Sequence, residues 1–373
     1  MAAHRTFLYH VNVTRDCNLR CTHCYISSIV KKHSGEMERQ NVINIANGIV
    51  KHMERIGYDL AEIHLIGGEP TQLGVDFFEY VIPEMRKILD GRGFKYKLCL
   101  VSNLIHPEIV RIASLFDQVA TSWEPETRFP KAKLEQMWRK SMQRLRDAGI
   151  KFGCTTAVTK PLIKMGVEAM MQKLYYEEGI KNMHFGFFIP SGDGLDHMDE
   201  IFPAFHETSA FLIDVANWYR ERRLEDPDLY VNPAESLLQA IHTNQPVDDI
   251  VCPIIAGSMD INWDGNAISC IEAGGNTEVP WSGNVYETSV DEVSQTASFK
   301  RDVINARRPH KACIGCDAYQ FCRSGCGVLA KYWDPEKDAD CPGFKGFIDH
   351  VRHLHDDGVR PKALEFAGGH AGC

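Results

Sequence analysis

Closely spaced cysteines constrain this chain more than any other feature. Cys17, Cys21 and Cys24 lie directly behind the apolar, strand-like run 7–13. Three thiolates are one short of the four that close an iron–sulfur cube, so one iron would face outward, as in catalytic metal sites. The spacing therefore predicts a cluster with one free iron. A zinc knuckle or a cluster of buried thiols is the alternative, but no nearby residue completes a tetrahedron, and His23 between the cysteines is expected to point away.

Composition limits the class of protein. The chain has 373 residues and a net charge of −9, and no Lys/Arg run suggests a nucleic-acid partner. The N-terminus lacks the apolar core of a signal peptide, and no apolar run has membrane-spanning length. Thirteen cysteines, an odd number without a secretion signal, favour metal ligation over disulfides. We therefore expect a cytoplasmic protein with no membrane or nucleic-acid partner.

Strand-like and helix-like segments alternate six times through the first 220 residues. The predicted strands are 7–14, 61–66, 96–102, 119–123, 150–158 and 183–189. The predicted helices are 37–56, 75–89, 107–116, 131–148, 165–178 and 202–223. Short strands that are apolar on both faces are typical of a parallel sheet covered by helices. The predicted fold is α/β, a partial (β/α)6 TIM-like barrel followed by a small, loop-rich and cysteine-rich iron–sulfur domain.

The predicted domain boundaries follow from the change from alternating strands and helices to a loop-rich, cysteine-rich segment. Residues 1–223 would form the barrel core, 224–250 a polar bridging segment, 251–350 the auxiliary cluster domain and 351–373 a C-terminal tail. The bridging segment contains one amphipathic piece, 233–242. We therefore expect the chemistry to lie in the first and third of these regions.

Polar or glycine-rich motifs follow each of the first four predicted strands. The cysteines follow strand one, and Gly67-Gly68-Glu69-Pro70 follows strand two. Ser102-Asn103 follows strand three, and Ser122-Trp123 follows strand four. Loops at the carboxyl ends of barrel strands meet on one face, so these motifs should form one site. Taken singly, each could be an ordinary turn.

Seven further cysteines occupy the last third of the chain. A predicted hairpin, 259–263 and 267–270, turns at Asp264-Gly265-Asn266, and a loop-rich segment follows it. With few apolar residues, this segment should draw much of its folding energy from bound metal. The seven are Cys252, Cys270, Cys313, Cys316, Cys322, Cys326 and Cys341.

Cys17-x3-Cys21-x2-Cys24, followed by the aromatic Tyr25, resembles the motif of radical S-adenosylmethionine (SAM) enzymes. The resemblance covers roughly residues 5–220. It implies that SAM chelates the free iron and that reductive cleavage of SAM gives a 5′-deoxyadenosyl radical. The implied SAM-binding residues are Tyr25, Gly67, Gly68, Glu69, Ser102, Asn103 and Ser122. One departure is Leu104, where relatives often carry glycine.

The last third resembles the SPASM extension of that family. The resemblance implies two auxiliary iron–sulfur clusters of the 4Fe-4S kind, and thus three clusters in all. Cys313, Cys316, Cys322 and Cys341 would close one; Cys252, Cys270 and Cys326 would bind the other. A cysteine present in fully ligated relatives is missing before Cys252. An open iron, Cys373, Cys154, a histidine or the substrate could take its place. A zinc ribbon would leave Cys252, Cys270 and Cys341 unexplained.

The resemblance implies a maturase that cross-links, oxidises or epimerises a ribosomally made peptide. A reductase or flavodoxin would donate the electron. Only sixteen residues precede Cys17, so leader recognition would fall to a separate protein or to the core. Alternatives are a dehydrogenase of a small molecule such as an amino sugar, and a non-catalytic iron–sulfur protein.

The candidate catalytic residues are three carboxylates, Glu272, Glu124 and Asp193, which could handle protons at the barrel mouth. Sulfatase maturases carry an aspartate base directly after the cysteine that corresponds to Cys270, whereas this chain has Glu272 one position later. This difference counts against sulfatase maturation, although Glu272 could be a base displaced by one residue. Solvated carboxylates are the ordinary alternative for all three.

Overall fold

A computed structural model describes residues 5–129, 131–246 and 250–362. Cys373, one of the candidate fourth ligands, and residues 363–372 of the predicted tail lie outside the described residues.

Six parallel strands form the barrel sheet, as predicted. Each pairs in parallel with the next along the chain. The strands are β1 Thr6–Thr14, β2 Leu60–Gly67, β3 Lys95–Val101, β4 Gln118–Ser122, β5 Gly153–Val158 and β6 Asn182–Phe187.

Helices cover the outer face of this sheet. Those of the first 223 residues are α1 Ser28–Lys32, α2 Arg39–Ile56, α3 Val75–Leu89, α4 Ile109–Ala113, α5 Ala132–Asp147, α6 Lys160–Met165, α7 Val167–Met171, α8 Met198–Ile201 and α9 Phe205–Arg222. The later ones are α10 Ala234–Thr243, α11 Pro253–Ala256, α12 Ile271–Gly274, α13 Val290–Gln295, α14 Ala297–Arg307, α15 Tyr319–Cys322 and α16 Lys345–Asp356.

Two predicted helices differ from the structure. The predicted helix 165–178 instead starts after Gly166, whose φ of +80° separates α6 from α7, and continues as a π-helical turn at Gln172–Glu177. A left-handed φ cannot continue an α-helix, which explains the break. The predicted helix 107–116 shortens to α4, because its first residues form a turn in which Ile109 N–H donates to the His106 carbonyl.

The two faces of the barrel sheet differ in polarity. Tyr9, Val11 and Val13 of β1 are fully buried on the outward face, where the Tyr9 hydroxyl lies 2.6 Å from Nδ1 of His52 on α2. Because side chains alternate along a strand, His10 and Asn12 occupy the inward face. The outward face is thus apolar packing, and the inward face is free to carry polar groups.

The sheet continues beyond the six barrel strands on both sides. β7 (Tyr230–Asn232), within the predicted bridging segment, pairs in parallel with β6 and was not anticipated. On the other side, β8 (Ser258–Ile261) pairs in parallel with β1, and β9 (Asn266–Ile268) and β10 (Gly283–Asn284) complete an antiparallel ribbon. The predicted hairpin therefore forms, and it joins the barrel sheet; the domain boundaries stay predictions. Within the described ranges, no helix combines the length and apolarity that a membrane crossing needs.

Candidate functional site

The first three cysteines lie in the loop between β1 and α1, residues 14–25, here called the cysteine loop. Cys21 is buried, and Cys17 and Cys24 are partly exposed. Burial, with the other two thiols and Glu69 adding to it, raises the pKa of Cys17 to about 12, and burial likewise raises the pKa of Cys21 to about 11. Thiols that resist ionisation alone become thiolates when a cation binds them. Three neighbouring sulfur donors fit an iron–sulfur cluster.

Gly67 and Gly68 bring the β2 loop against the cysteine loop. A Cβ on Gly67 would lie 1.8 Å from the Thr14 carbonyl oxygen, and one on Gly68 would lie 2.1 Å from that of Asp16. Gly68 N–H donates to Thr14 O at 3.0 Å, and Glu69 N–H donates to Asp16 O at 2.8 Å. The close approach of two backbones therefore requires both glycines, whatever else binds there.

Glu69 is a buried hub rather than an open carboxylate. It accepts hydrogen bonds from Thr71 N–H at 3.1 Å, Ser102 Oγ at 2.8 Å and Asn103 N–H at 2.7 Å. Burial raises its pKa, and these donors oppose that rise. Asn103 Nδ2 in turn donates to Asn18 Oδ1 at 2.7 Å. Glu69 and Asn103 thus connect the loops after β1, β2 and β3.

Ser122 and Tyr25 reach the same end of the sheet from opposite sides. Thr121 is outward-facing, since its hydroxyl accepts from Trp138 on α5 at 2.9 Å, so Ser122 is inward and partly exposed. Tyr25 follows Cys24, and its hydroxyl accepts from Arg15 at 3.4 Å. Burial raises the pKa of Tyr25. The structure therefore gathers all the predicted SAM-binding residues at the carboxyl ends of β1 to β4.

A buried ion pair, which the sequence analysis missed, fixes the cysteine loop to the later chain. Arg15 donates to Asp260 on β8 at 2.6 Å, and both side chains are fully buried. Asn262 accepts from Arg15 Nε at 3.0 Å, and Asn12 donates to Asp260 at 2.6 Å. A charge in the otherwise apolar run Met259–Ile261 was the available signal, because a buried charge needs a partner.

The seven later cysteines separate into two groups. Cys313 and Cys316 are among the neighbours that raise the pKa of Cys322, after burial, to about 11. Cys322 similarly contributes, after burial, to raising the pKa of Cys341 to about 12. A Cβ on Gly343 would lie 2.7 Å from Cys322 Sγ and 3.8 Å from Cys341 Sγ, so these two sulfurs are near each other. These four cysteines therefore form one neighbourhood.

Cys252, Cys270 and Cys326 form the other neighbourhood. Burial is the largest cause of the raised pKa of each of these thiols. Cys270 adds to the rise for Cys252, Cys326 adds to that for Cys270, and Cys252 adds to that for Cys326. Cys154 lies elsewhere, within the hydrophobic core. The two groups coincide with the ligand sets implied by the SPASM resemblance, whose roles stay predictions.

Glu272 lies between the cysteine loop and this three-cysteine group. Ser191 Oγ donates to Glu272 Oε2 at 2.6 Å. Burial, which outweighs the Ser191 hydrogen bond, raises the pKa of Glu272 to about 7, and Glu272 adds to the raised pKa of Cys270. Ser27 N–H donates to the Gly275 carbonyl at 2.9 Å, so α12 packs directly against the residues that follow Tyr25.

Glu124 and Asp193 are both engaged by cations. Glu124 accepts from Arg128 and lies 3.3 Å from His23 Nε2. Burial opposes its ionisation, but Arg128 and His23 outweigh burial and lower the pKa of Glu124 to about 2. Asp193 accepts from buried Lys31 at 2.7 Å and from Ser28 Oγ at 2.9 Å. These contacts favour a positioning role for both carboxylates; their part in proton transfer stays a prediction.

Comparison with known proteins identifies the first of these regions. Residues 11–174 match the model of the radical SAM superfamily. The chain is 25% identical over 220 residues to the AdoMet-dependent heme synthase of Nitratidesulfovibrio vulgaris (strain Hildenborough), covering 57% of this chain and 54% of that protein. The chain thus spans about half the length of this curated relative.

Two solved structures share the fold at low sequence identity. Native anSMEcpe with bound AdoMet and Cp18Cys peptide has 15% identity and a TM-score of 0.74, over 94% of this chain and 99% of that chain. Streptococcus suis SuiB bound to precursor peptide SuiA has 13% identity and a TM-score of 0.61, over 88% and 73%. These two likenesses concern the fold, whereas the radical SAM match over residues 11–174 is the one that the cysteine motif predicted.

Proposed function

We propose that this protein is a radical SAM enzyme that modifies a peptide and carries three iron–sulfur clusters. The observation that carries the proposal is the position of Cys17, Cys21 and Cys24, at the carboxyl end of β1 beside the Glu69 loop. Ten cysteines in three neighbourhoods support the cluster count.

The cysteine loop would hold the SAM-binding cluster. When bound there, the cluster and SAM supply a 5′-deoxyadenosyl radical that takes a hydrogen atom from a substrate carbon. Cys17, Cys21 and Cys24 provide the three thiolates and leave one coordination position open. The partial exposure of Cys17 and Cys24 keeps the cluster edge accessible from the barrel mouth.

The surrounding residues would hold the site in one geometry. Glu69 joins three loops through its hydrogen bonds, and the Arg15–Asp260 pair fixes the base of the cysteine loop. Such preorganisation keeps reacting groups within the short distances that hydrogen transfer needs.

The later cysteines would hold the auxiliary clusters. Cys313, Cys316, Cys322 and Cys341 suffice to close one of them, whereas Cys252, Cys270 and Cys326 leave one position for another ligand. Glu272 lies beside that incomplete set, and after burial its charge also adds to the raised pKa of Tyr25. We assign it the role of accepting the proton that the substrate releases on oxidation, and a cluster held by these cysteines would supply the electron acceptor.

A peptide is the substrate class we favour. Two solved proteins that share this fold, anSMEcpe and SuiB, each have a structure with a bound peptide, Cp18Cys or SuiA. A reductase or flavodoxin would supply the electron, and a separate protein could present the peptide leader.

A small-molecule substrate is the second candidate. The observation that favours it is the match to a heme synthase, since a porphyrin precursor is not a peptide. Oxidation of an amino sugar or a carboxylate side chain would need the same cluster arrangement.

Anaerobic reconstitution with iron, sulfide, SAM and dithionite tests the enzyme proposal. We expect 5′-deoxyadenosine from the wild-type protein and none from the triple variant Cys17→Ala, Cys21→Ala, Cys24→Ala. Thr22→Ala, in the same loop but without a ligand atom for iron, should retain product formation. No 5′-deoxyadenosine from a fully reconstituted wild type would instead support a non-catalytic iron–sulfur protein.

The substrate class requires a separate assay. The reconstituted enzyme is incubated with short peptides encoded beside its gene and, in parallel, with a porphyrin precursor of heme. Loss of two hydrogens from a peptide, or deuterium uptake from heavy water, supports the first candidate. Conversion of the porphyrin alone supports the second.

A further inference from the structure

The inward face of β2 and β3 carries a further set of metal-ligand types, made of residues that belong to none of the three cysteine neighbourhoods. Glu62, His64 and Cys99 each offer one ligand atom, and these atoms lie within 4.8 Å of one another. The exposed fractions are 0%, 2% and 0%. His64 Nε2 lies 3.0 Å from Glu62 Oε1, and Cys99 Sγ lies 3.4 Å from Gln118 Oε1.

Sheet register brings a fourth residue of the same kind to this face. His10 on β1 is paired with His64, and His64 is paired with Cys99. The ring centroids of His10 and His64 are 5.3 Å apart. His10 is 8% exposed, and its Nδ1 has no hydrogen-bond partner among the described residues. A buried imidazole nitrogen without a partner is costly, and a ligand would remove that cost.

The chemistry of the four side chains selects the kind of ligand. A thiolate, a carboxylate and two imidazoles, closed off from solvent, match the donors and enclosure of a structural zinc site. Mixed nitrogen, sulfur and oxygen donors favour zinc over the all-sulfur environment of an iron–sulfur cluster. A divalent cation would also balance the buried thiolate and carboxylate, which are expensive to bury as charges.

We propose that Glu62, His64 and Cys99, with His10 as fourth ligand, bind a structural zinc ion inside the barrel. This site goes beyond the proposed function and does not depend on it. His10 precedes Thr14 by four residues, or about 13 Å along an extended strand, so the zinc would be separate from the cluster held by the cysteine loop.

Zinc itself is the probe. The anaerobically purified protein with its clusters is incubated with zinc and desalted, and metal content is measured together with X-ray absorption at the zinc edge. We expect about one zinc per chain with a single sulfur and otherwise nitrogen and oxygen neighbours. Zinc that is absent, or that has three or four sulfur neighbours, would overturn the proposal, the latter because zinc would then occupy the cluster cysteines.

Variants test the ligands independently of the spectrum. Cys99→Ser and His64→Gln should each lower zinc affinity about tenfold or more, with iron content unchanged. His52→Gln is the matched control, because His52 on α2 is an equally buried imidazole that packs against the other face of β1. This variant should bind as much zinc as the wild type. Unchanged zinc in folded Cys99→Ser protein would refute the ligand assignment. If that variant does not fold, the wild-type spectrum alone decides.

Discussion

The cysteine loop (14–25) and the C-terminal cysteine segment (313–341) would both hold iron, yet different interactions hold the two regions in place. In the cysteine loop, Arg15 is fully buried, and Gly68 and Glu69 bond its backbone to the β2 loop. The C-terminal segment buries few side chains, and its Ile314 is 77% exposed. Cysteines recur in or beside the short turns of this segment.

This difference separates two ways of building a metal site. The cysteine loop is attached to β2, β3 and β8 by hydrogen bonds and an ion pair between protein groups, so we expect its shape to precede cluster binding. The C-terminal segment has too little apolar burial to offset its conformational entropy without metal. We expect the first site to be preorganised and the second to fold with its cluster.

Removal of iron should therefore have the largest effect on structure, and that effect should differ between the two regions. Metal-coupled folding of small modules is worth on the order of 10 kcal/mol, so chelation should unfold 313–341 while β1 to β6 stay folded. Hydrogen exchange followed by mass spectrometry measures this, with peptides from β5 and β6, which carry no proposed metal ligand, as the internal control. Equal loss of protection in both regions would contradict the comparison.

Substitution of Gly67 should break the preorganised site. Gly67→Ala places a Cβ 1.8 Å from the Thr14 carbonyl oxygen, and its φ is +153°. We expect a loss of about 4 kcal/mol or more in the free energy of unfolding, measured in urea. Gly57→Ala is the control, since Gly57 has a positive φ but open space around it, and should cost about 1 kcal/mol. Similar costs at both positions would show that the loop contact is not needed.

Asp260 tests the tie between the cysteine loop and β8. Asp260→Ala leaves Arg15 as a buried, unpaired charge, which should cost about 3–5 kcal/mol. The double variant Arg15→Met, Asp260→Leu should recover most of that stability, because no charge remains buried. Chemical denaturation of the three proteins measures the coupling. A double variant as unstable as Asp260→Ala would place the cost in packing rather than in charge.

His52 gives a smaller effect that probes the barrel alone. Burial lowers its pKa from 6.5 to about 4. Between pH 6.5 and about pH 4, His52 therefore binds a proton in the unfolded chain but not in the folded chain. Its contribution to stability is complete above pH 6.5 and declines as the pH falls toward 4. Between about pH 7.5 and about pH 5, this group should account for a loss of about 2 kcal/mol.

The measurement is urea unfolding of wild type and His52→Gln at both pH values. The wild type should lose more stability on acidification than the variant does. Identical losses would mean that His52 titrates normally in the folded protein.

Local patterns predicted much of this molecule. Apolar strands separated by amphipathic helices indicated the parallel barrel, since burial on both faces of a sheet leaves a continuous apolar run. The loops after β1 to β4 could be assigned to one end of the barrel for the same topological reason. The resemblance to the SPASM extension implied two groups of cysteines in the last third, and the structure brings the cysteines together in those groups.

Other features depend on residues far apart in the chain. β7 is three residues long in a polar segment, too short for a pattern to indicate. The pairing of β8 with β1 depends on contacts between residues about 250 positions apart, and it creates the Arg15–Asp260 pair. Glu69 became a structural hub only because Ser102 and Asn103 lie beside it.

The strands, most of the helices and the radical SAM motif could be read from the sequence, because those depend on nearest neighbours and spacing. Tertiary structure alone decided which polar groups meet inside the sheet, because register between strands cannot be read from any one strand. His10, His64 and Cys99 show this most clearly. Each is unremarkable in its own strand, and only the parallel pairing of β1, β2 and β3 places them side by side.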